Sequence, residues 1–246
     1  MPKNARQSRK TVSEEASILA ARLVRRLKKE GLSLSTAESC TGGLLASTFT
    51  DISGASEWFV QGWVTYSNES KIAQLGVSPK KFEKKGAVSH DVALGMAKGS
   101  QSASGSGVSI SITGVAGPTG GSENKPVGTV YVAVCVGESY LVRRGEFGGG
   151  DRASNKHSFT IFAIQKAIEA WDAHFGRLEA VRVAAAAEKG DREEIEVDLD
   201  QALLSINPDL DTWTDNTNWS DEKVANTLEQ LGKDSLGDDA EWLEEQ

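Results

Sequence analysis

A serine and two glycines lie together in the segment Ala-Glu-Ser-Cys-Thr-Gly-Gly at residues 37–43. A strand-like stretch at 32–36 leads into this segment, and a helix is predicted to follow it. Glycines allow close approach to the backbone, and the start of a helix directs unpaired N–H groups at an anionic or oxyanionic atom. The segment therefore has two interpretations: the turn of an active site with Ser39 as nucleophile, or a helix start capped by Ser39 or Thr41.

A serine hydroxyl is a weak nucleophile until a base takes its proton, so a catalytic Ser39 requires a basic partner. The chain has three histidines, His90, His157 and His174, and the last lies late in a predicted helix, where a histidine more often caps or packs. Lys71 follows Tyr66 by five residues, about one and a half helical turns, at the end of a predicted strand. Because burial lowers the pKa of a lysine, Lys71 can serve as the base. We expect a Ser-Tyr-Lys arrangement rather than Ser-His-Asp; the alternative for Lys71 is a solvated surface lysine.

Cys40 is the rival nucleophile, because a thiol at a helix N-terminus is expected to have a lowered pKa. The other cysteine, Cys135, lies in an apolar stretch and is expected to be a buried structural thiol. No C-x-x-C or H-x-x-x-H spacing occurs, so we expect no metal and no cofactor. The loop at 117–121 lacks the Gly-Lys-Ser/Thr ending of a P-loop; it either holds a phosphate through backbone N–H groups or is a simple turn.

Hydrophobic periodicity predicts strands that alternate with helices early in the chain and pair as hairpins later. This order predicts a three-layer α/β/α domain with a mixed parallel and antiparallel sheet. The predicted helices are at 11–31, 42–50, from about 67, after Ser89 and at 153–175; the predicted strands are at 32–36, 58–66, 108–113, 128–136 and 141–147, with a small-residue loop at 99–107.

The formal charge of −8 is distributed unevenly along the chain. Residues 1–30 carry nine Lys and Arg against three Glu, and residues 178–246 carry five against twenty Asp and Glu. A near-neutral middle offers no cluster of phosphate-neutralising cations, so nucleic acid is not an expected partner. The absence of an apolar run of about 18 residues and of a secretory segment predicts no membrane partner and a cytoplasmic location.

Three segments are predicted from these patterns. Residues 1–11 are a flexible basic N-terminus, residues 12–177 are the α/β domain, and residues 178–246 are an acidic, disordered or loosely helical tail. The tail holds three of the six tryptophans, Trp213, Trp219 and Trp242, among acidic residues. Acidic segments with spaced aromatic side chains can dock on a protein partner, and the alternative is a plain solvating tail.

Six motifs in the chain, taken in order, resemble those of the CinA C-terminal domain family, whose characterised activity is nicotinamide-nucleotide amidase. The resemblance covers about residues 12–175. The motifs are the Ser39 turn at 37–43, Gly-Trp-Val-Thr-Tyr-Ser-Asn-Glu-Ser-Lys at 62–71, Gly-Ala-Val-Ser at 86–89, Thr-Gly-Val-Ala-Gly-Pro at 113–118 with Gly-Gly-Ser at 120–122, Lys-Pro-Val-Gly-Thr-Val at 125–130 and Gly-Asp-Arg at 150–152.

The resemblance implies that Ser39 is the nucleophile, Lys71 its base and Tyr66 the hydroxyl that relays or orients the proton. It implies deamidation of nicotinamide mononucleotide to nicotinate mononucleotide and ammonia, in pyridine-nucleotide salvage. Arg152 offers a bidentate fork to the phosphate of the substrate, or else forms an ion pair with Asp151 or another neighbour. The expected substrate-binding residues are Thr41, Gly42, Gly43, Asn68, Thr113, Gly114, Gly117 and Arg152.

The resemblance also implies a homo-oligomer. The alternative function is a non-catalytic nucleotide-binding or regulatory protein, in which the same pocket holds a nucleotide and the acidic tail docks on a partner. Release of ammonia separates the enzyme from the binding protein. A third possibility, a thiol enzyme that uses Cys40, predicts that activity survives Ser39→Ala and is lost in Cys40→Ala.

Overall fold

The computed structural model describes residues 3–188, and the predictions for the remainder of the acidic tail, at 189–246, lie outside the described residues. The helices are α1 (Lys3–Glu30), α2 (Leu44–Thr50), α3 (Asn68–Leu75), α4 (Lys80–Lys85), α5 (His90–Ser104) and α6 (Arg152–Glu188). The strands are β1 (Leu34–Glu38), β2 (Phe59–Val64), β3 (Val108–Gly114), β4 (Thr129–Val136) and β5 (Ser139–Glu146), and a 3₁₀ turn spans Ala55–Glu57.

The five strands form one sheet in the order β2-β1-β3-β4-β5. Strand β1 pairs in parallel with both β2 and β3, whereas β3–β4 and β4–β5 are antiparallel. The turn at Gly137-Glu138 joins β4 to β5, where a hairpin is predicted. The mixed sheet is thus confirmed, with its parallel part on the side of the sheet that carries the Ser39 turn.

One face of the sheet packs against α1, α2 and α6, and its side chains are aliphatic. Alternate residues of β3 and β4 supply branched side chains that are buried to 1% exposure or less, because period-two alternation sends them all to this face. They are Val108, Ile110, Ile112, Val130, Val132, Val134 and Val136. Across this layer Arg26 of α1 donates to both carboxylate oxygens of Asp172 on α6, at 3.1–3.3 Å.

The opposite face packs against α5 and is built from small and hydroxyl side chains. Ser109 and Ser111 of β3 donate to the carbonyl oxygens of Ala97 and Ala93 on α5, at 2.8 and 2.7 Å. Ala133 and Cys135 of β4 are buried there as well, as expected for a structural thiol at Cys135. With helices on both faces, the predicted three-layer α/β/α architecture is confirmed.

Several predicted boundaries were wrong. Helix α1 begins at Lys3 rather than at residue 11, and α6 continues to Glu188 rather than ending near 175. The loop predicted at 99–107 is mostly helix, because α5 runs to Ser104. Gly99 is accommodated in that helix by close packing, since a Cβ at this position would lie 2.0 Å from the carbonyl oxygen of Leu75. The sequence patterns did not predict α4 or the 3₁₀ turn.

Within the described residues, no helix is both long enough and apolar enough to span a bilayer.

Candidate active site

Ser39 lies directly after the carboxyl end of β1, where the sheet reverses its winding direction. The connection from β1 to β2 runs through α2 on one face, and the connection from β2 to β3 runs through α3, α4 and α5 on the other. In open α/β sheets, ligands bind at such a topological switch point. The Ser39 N–H donates to Ile112 on β3 at 3.0 Å, and Thr65 donates to the carbonyl of Glu38 at 2.9 Å, so both neighbouring strands hold the turn.

The turn after Ser39 takes its shape from the buried carboxylate of Glu38. This carboxylate accepts hydrogen bonds from the N–H groups of Gly43, Leu45 and Ala46, at 3.0, 3.1 and 2.8 Å. These N–H groups open α2 and have no acceptor within the helix, so a carboxylate at this end is electrostatically favourable. Glu38 therefore fixes the path of the chain around Ser39.

Lys71 reaches Ser39 from the first turns of α3. Helical side chains point back toward the N-terminus, which brings Nζ of Lys71 to the end of β2. There Nζ lies 3.1 Å from Oγ of Ser39, and 2.8, 3.1 and 3.3 Å from the carbonyl oxygens of Thr65, Tyr66 and Ser67. The Lys71 side chain is 1% exposed, and this burial lowers its pKa. The surface-lysine interpretation of Lys71 is therefore wrong.

Tyr66 and Arg152 meet at the rim of the site. Arg152 donates through Nη2 to the Tyr66 hydroxyl at 2.6 Å and through Nη1 to the carbonyl of Gly117 at 2.7 Å. Asn155, one turn further along α6, donates to the carbonyl of Ala116 at 3.0 Å. Two side chains of α6 therefore hold the loop after β3 against the catalytic edge. The structure brings the Tyr66 hydroxyl to Arg152, while the backbone carbonyl of Tyr66 contacts Lys71.

Cys40 is a buried thiol, contrary to the expectation of a reactive thiolate. Its side chain is 6% exposed and packs into the aliphatic layer beside α1 and α6. Burial raises the pKa of the Cys40 thiol to about 12, and the charges of Arg152 and Lys71 nearby do not offset that effect. Because the neutral thiol predominates at physiological pH, the structure favours Ser39, which is partly exposed, as the nucleophile.

The remaining predicted binding residues fall into two groups. Around the turn, Thr41 is fully buried, and its hydroxyl has no partner among the described residues, while Gly42 and Gly43 adopt the left-handed conformation with φ of 63° and 94°. Asn68 is exposed on the first turn of α3.

The other group belongs to β3 and the loop after it. The hydroxyl of Thr113 donates to the carbonyl of Ala87 at 2.9 Å and so positions the loop before α5. Gly114 lies against β4, where a Cβ would be 2.7 Å from the carbonyl oxygen of Thr129. Gly117 has a φ of 83° and presents its carbonyl to Arg152.

Sequence reasoning missed the structural parts played by Glu38, Asn155 and Lys156. Nζ of Lys156 lies 3.7 Å from where a Cβ on Gly42 would stand, so this lysine reaches the catalytic turn from α6. The role of Glu38 could have been predicted, since a carboxylate just before the start of a helix is electrostatically favourable there. Nothing local in the sequence marks Asn155 or Lys156, because Ala116 and Gly42, the residues that they reach at this edge, lie more than 35 positions away.

The fold and the site together define a class: an α/β protein with a serine and a buried lysine in contact at the switch point of its sheet. The model of the CinA C-terminal domain matches residues 16–170, and the chain belongs to this family. A CinA-like protein of Geotalea daltonii is 53% identical over 122 residues, which cover 50% of this chain and 30% of that protein. A CinA-like protein of Kosmotoga olearia is 44% identical over 142 residues, which cover 58% of this chain and 34% of that protein. The chain therefore spans about a third of the length of these two relatives.

Shorter relatives match over most of their length. The nicotinamide-nucleotide amidohydrolase PncC of Escherichia coli K12 is 45% identical over 139 residues, which cover 56% of this chain and 84% of that protein. Among solved structures, the competence/damage inducible protein CihA from Agrobacterium tumefaciens has a TM-score of 0.62 and 37% identity, covering 63% of this chain and 95% of that one. A CinA superfamily protein from E. coli has a TM-score of 0.59 and 35% identity, with coverage of 61% and 87%.

Proposed function

We propose that this protein is an amidohydrolase that converts nicotinamide mononucleotide to nicotinate mononucleotide and ammonia, with Ser39 as nucleophile and Lys71 as its base. The observation that carries the proposal is the 3.1 Å contact between Nζ of the buried Lys71 and Oγ of Ser39. The 45% identity to proteins named nicotinamide-nucleotide amidohydrolase supports the choice of substrate. The expected reaction belongs to pyridine-nucleotide salvage.

Lys71 must be a neutral amine to act as the base, and burial of its side chain lowers its pKa. Nζ lies 2.8, 3.1 and 3.3 Å from the carbonyl oxygens of Thr65, Tyr66 and Ser67, and the Ser39 hydroxyl is 3.1 Å away. In the neutral amine of the proposed mechanism, two N–H groups donate to the nearer carbonyl oxygens, those of Thr65 and Tyr66, and the lone pair accepts the Ser39 proton. Burial lowers the pKa of Lys71 by more than the charge of Glu69 nearby raises it.

In the proposed first step, Ser39 Oγ bonds to the carboxamide carbon while its proton passes to Lys71. The carbon–nitrogen bond then breaks, and the Lys71 ammonium returns a proton to the leaving nitrogen, which departs as ammonia. A water molecule, deprotonated by Lys71, attacks the resulting ester and releases nicotinate mononucleotide with Ser39 restored. Tyr66 holds Lys71 Nζ through its backbone carbonyl, and its hydroxyl is the proposed group that relays or orients the proton. No metal or cofactor is required by these steps.

The oxyanion of the tetrahedral intermediate has a limited choice of donors. The N–H groups of Gly42 and Gly43 already donate, to the carbonyl of Ser39 and the carboxylate of Glu38. Among the described residues, the N–H groups of Cys40 and Thr41 have no such acceptor. These two groups are the proposed oxyanion donors, each worth roughly 3–4 kcal/mol of transition-state stabilisation in hydrolases.

Substrate binding is proposed to involve the turn and the rim. Gly42 and Gly43 keep the turn free of side chains, and Arg152 presents its remaining guanidinium donors to the phosphate. Thr41 belongs to the turn, and Asn68 is exposed at the start of the helix that carries Lys71. Thr113 positions the loop before α5, and Gly114 and Gly117 belong to the end of β3 and the loop after it. Their contacts with substrate remain predictions.

The test is ammonia release from nicotinamide mononucleotide by the full chain, beside Ser39→Ala, Lys71→Met and Cys40→Ala. We expect losses of at least about 10³-fold in the first two variants and little change in the third, because the Cys40 thiol is protonated. Surviving activity in Ser39→Ala would contradict the mechanism. No turnover by the wild type, with the nucleotide still bound, would favour the non-catalytic nucleotide-binding protein.

The pH profile gives an independent readout of the same base. Lys71 must be neutral to accept the Ser39 proton, so kcat/KM falls as the pH drops through the Lys71 pKa. Since burial lowers that pKa, the wild type keeps activity at a pH where an exposed lysine would be charged. Lys71→Arg, whose guanidinium stays protonated, is expected to be inactive at every pH tested.

The cytoplasmic location, the homo-oligomer and a protein partner for the acidic tail also remain predictions. Gel filtration with light scattering tests the oligomer, and removal of the acidic tail tests whether that segment affects turnover.

A further inference from the structure

Two cations of α6 stand at the catalytic turn, and neither forms an ion pair with a carboxylate among the described residues. Arg152 and Lys156 are four residues apart, so they lie on the same face of the helix, one turn from each other. Both contacts given above for Arg152 are to uncharged oxygens. Lys156 is partly buried, and its Nζ has neither a hydrogen bond nor an ion pair with any described residue.

The nearby carboxylates of Asp151 and Glu38 accept hydrogen bonds from groups at the starts of α6 and α2. Asp151 uses its carboxylate to cap α6, with Oδ1 accepting from the N–H groups of Ala153 and Ser154 and Oδ2 from the Ser154 hydroxyl. Glu38 is held by three N–H groups of the turn and of α2. An anion at this place would therefore be bound by the side chains of Arg152 and Lys156 rather than by helix N–H groups.

Gly42 leaves room for such an anion. The residue is exposed, and a Cβ built on it would lie 3.7 Å from Lys156 Nζ, in van der Waals contact with the amine. Like charges one helical turn apart repel each other, a cost that an anionic ligand between them removes. The charged end of the site is therefore on the α6 side of the turn, whereas the neutral carboxamide is handled by Ser39 and Lys71.

We propose that Lys156 is a substrate-specificity residue that binds the phosphate of the nucleotide together with Arg152 beside Gly42. The inference rests on the proposed function and extends it, because it makes discrimination between the nucleotide and its dephosphorylated nucleoside depend on a cation outside the sequence motifs. Lys156 contacts the phosphate and takes no part in proton transfer.

Steady-state kinetics of Lys156→Met with nicotinamide mononucleotide and nicotinamide riboside test the proposal. We expect KM for the nucleotide to rise roughly 10-fold or more, with kcat within about two-fold of the wild type, since a charge-assisted contact is lost from binding alone. The kcat/KM for the riboside is expected to stay unchanged, and Lys156→Arg is expected to restore the nucleotide KM. Lys166→Met on the same helix, where Nζ is paired with Glu169 at 2.7 Å, is the matched control.

A binding measurement separates this proposal from the proposed function. Calorimetry of Ser39→Ala with the nucleotide, with and without Lys156→Met, reports affinity whether or not the wild type turns over. A roughly 10-fold weaker Kd in the double variant supports the phosphate contact even if no amidase activity is found. Any of three results would overturn the proposal. The first is an equal loss of kcat/KM with nucleotide and riboside in Lys156→Met, and the second is an unchanged KM and Kd for the nucleotide. The third is no nucleotide binding by Ser39→Ala.

Discussion

The neighbours Ile110 and Ser111 on β3 show how differently the two faces of the sheet are built. Ile110 is fully buried in the aliphatic layer that α1, α2 and α6 cover. Ser111 is equally buried, but its hydroxyl donates to the carbonyl of Ala93 on α5 at 2.7 Å. The first face is stabilised by apolar burial, and the second by small side chains that let α5 lie close and bond to the strand.

The difference extends to the active site. The α5 side supplies the base, because α3 delivers Lys71 from that face, and the aliphatic side supplies the shape of the turn and the cations of α6. Ser39 lies between the two, at the end of the strand that both faces share. The comparison predicts that substitutions on the aliphatic side chiefly cost stability, and that only those touching the turn cost activity as well.

Ile110→Ala should have the largest effect on stability. It removes three carbon atoms from a fully buried side chain, which costs about 3 kcal/mol of the free energy of unfolding, with Ile110→Val costing about 1 kcal/mol. Urea denaturation followed by circular dichroism measures both. If the alanine variant unfolds with nearly the wild-type free energy, apolar burial at this face does not stabilise the fold.

Glu38→Gln should have an intermediate effect that appears in both stability and activity. The amide group replaces one carboxylate oxygen and leaves at least one N–H of the turn without an acceptor, at a cost of about 2 kcal/mol. We expect kcat to fall roughly 10-fold, because the turn that holds Ser39 loosens.

Glu57→Gln is the control for that change, since Glu57 is an exposed partner of Lys28 and should matter little. If Glu38→Gln behaves like this control, the carboxylate does not shape the turn.

Ser111→Ala should have the smallest effect, about 1 kcal/mol of stability without loss of turnover. It removes one hydrogen bond to a carbonyl that belongs to a helix and leaves a small side chain of nearly the same volume. Ser109→Ala is the parallel case one pleat away. A loss as large as that of Ile110→Ala would erase the distinction between the two faces.

Much of the sheet could be predicted because its strands alternate cleanly. The β3 stretch Val-Ser-Ile-Ser-Ile-Thr sends every second side chain into the aliphatic layer, and the hairpin at Gly137 is marked by its turn residues. The extent of α5 could not be predicted, because Gly99 and its small neighbours have low helix propensity. Only the close approach of α3 explains them.

Some residues of the active site could likewise be predicted from the sequence, and others could not. Ser39 and Lys71 belong to motifs, and their contact could be anticipated from the predicted strand ends. The pKa of Cys40 was predicted in the wrong direction, because its position in the turn suggested a helix dipole while the fold buries its sulfur. Lys156 could not be placed, because its distance from Gly42 depends on how α6 crosses the sheet.

The hydrogen bonds from the start of α2 to Glu38 matter for protein engineering. Because the residue that precedes the nucleophile also anchors the start of α2, stability and catalytic geometry are joined at this turn and cannot be optimised one at a time. Directed evolution for heat resistance would therefore gain most from the layer between α1 and α6, where packing can be improved far from the reacting atoms.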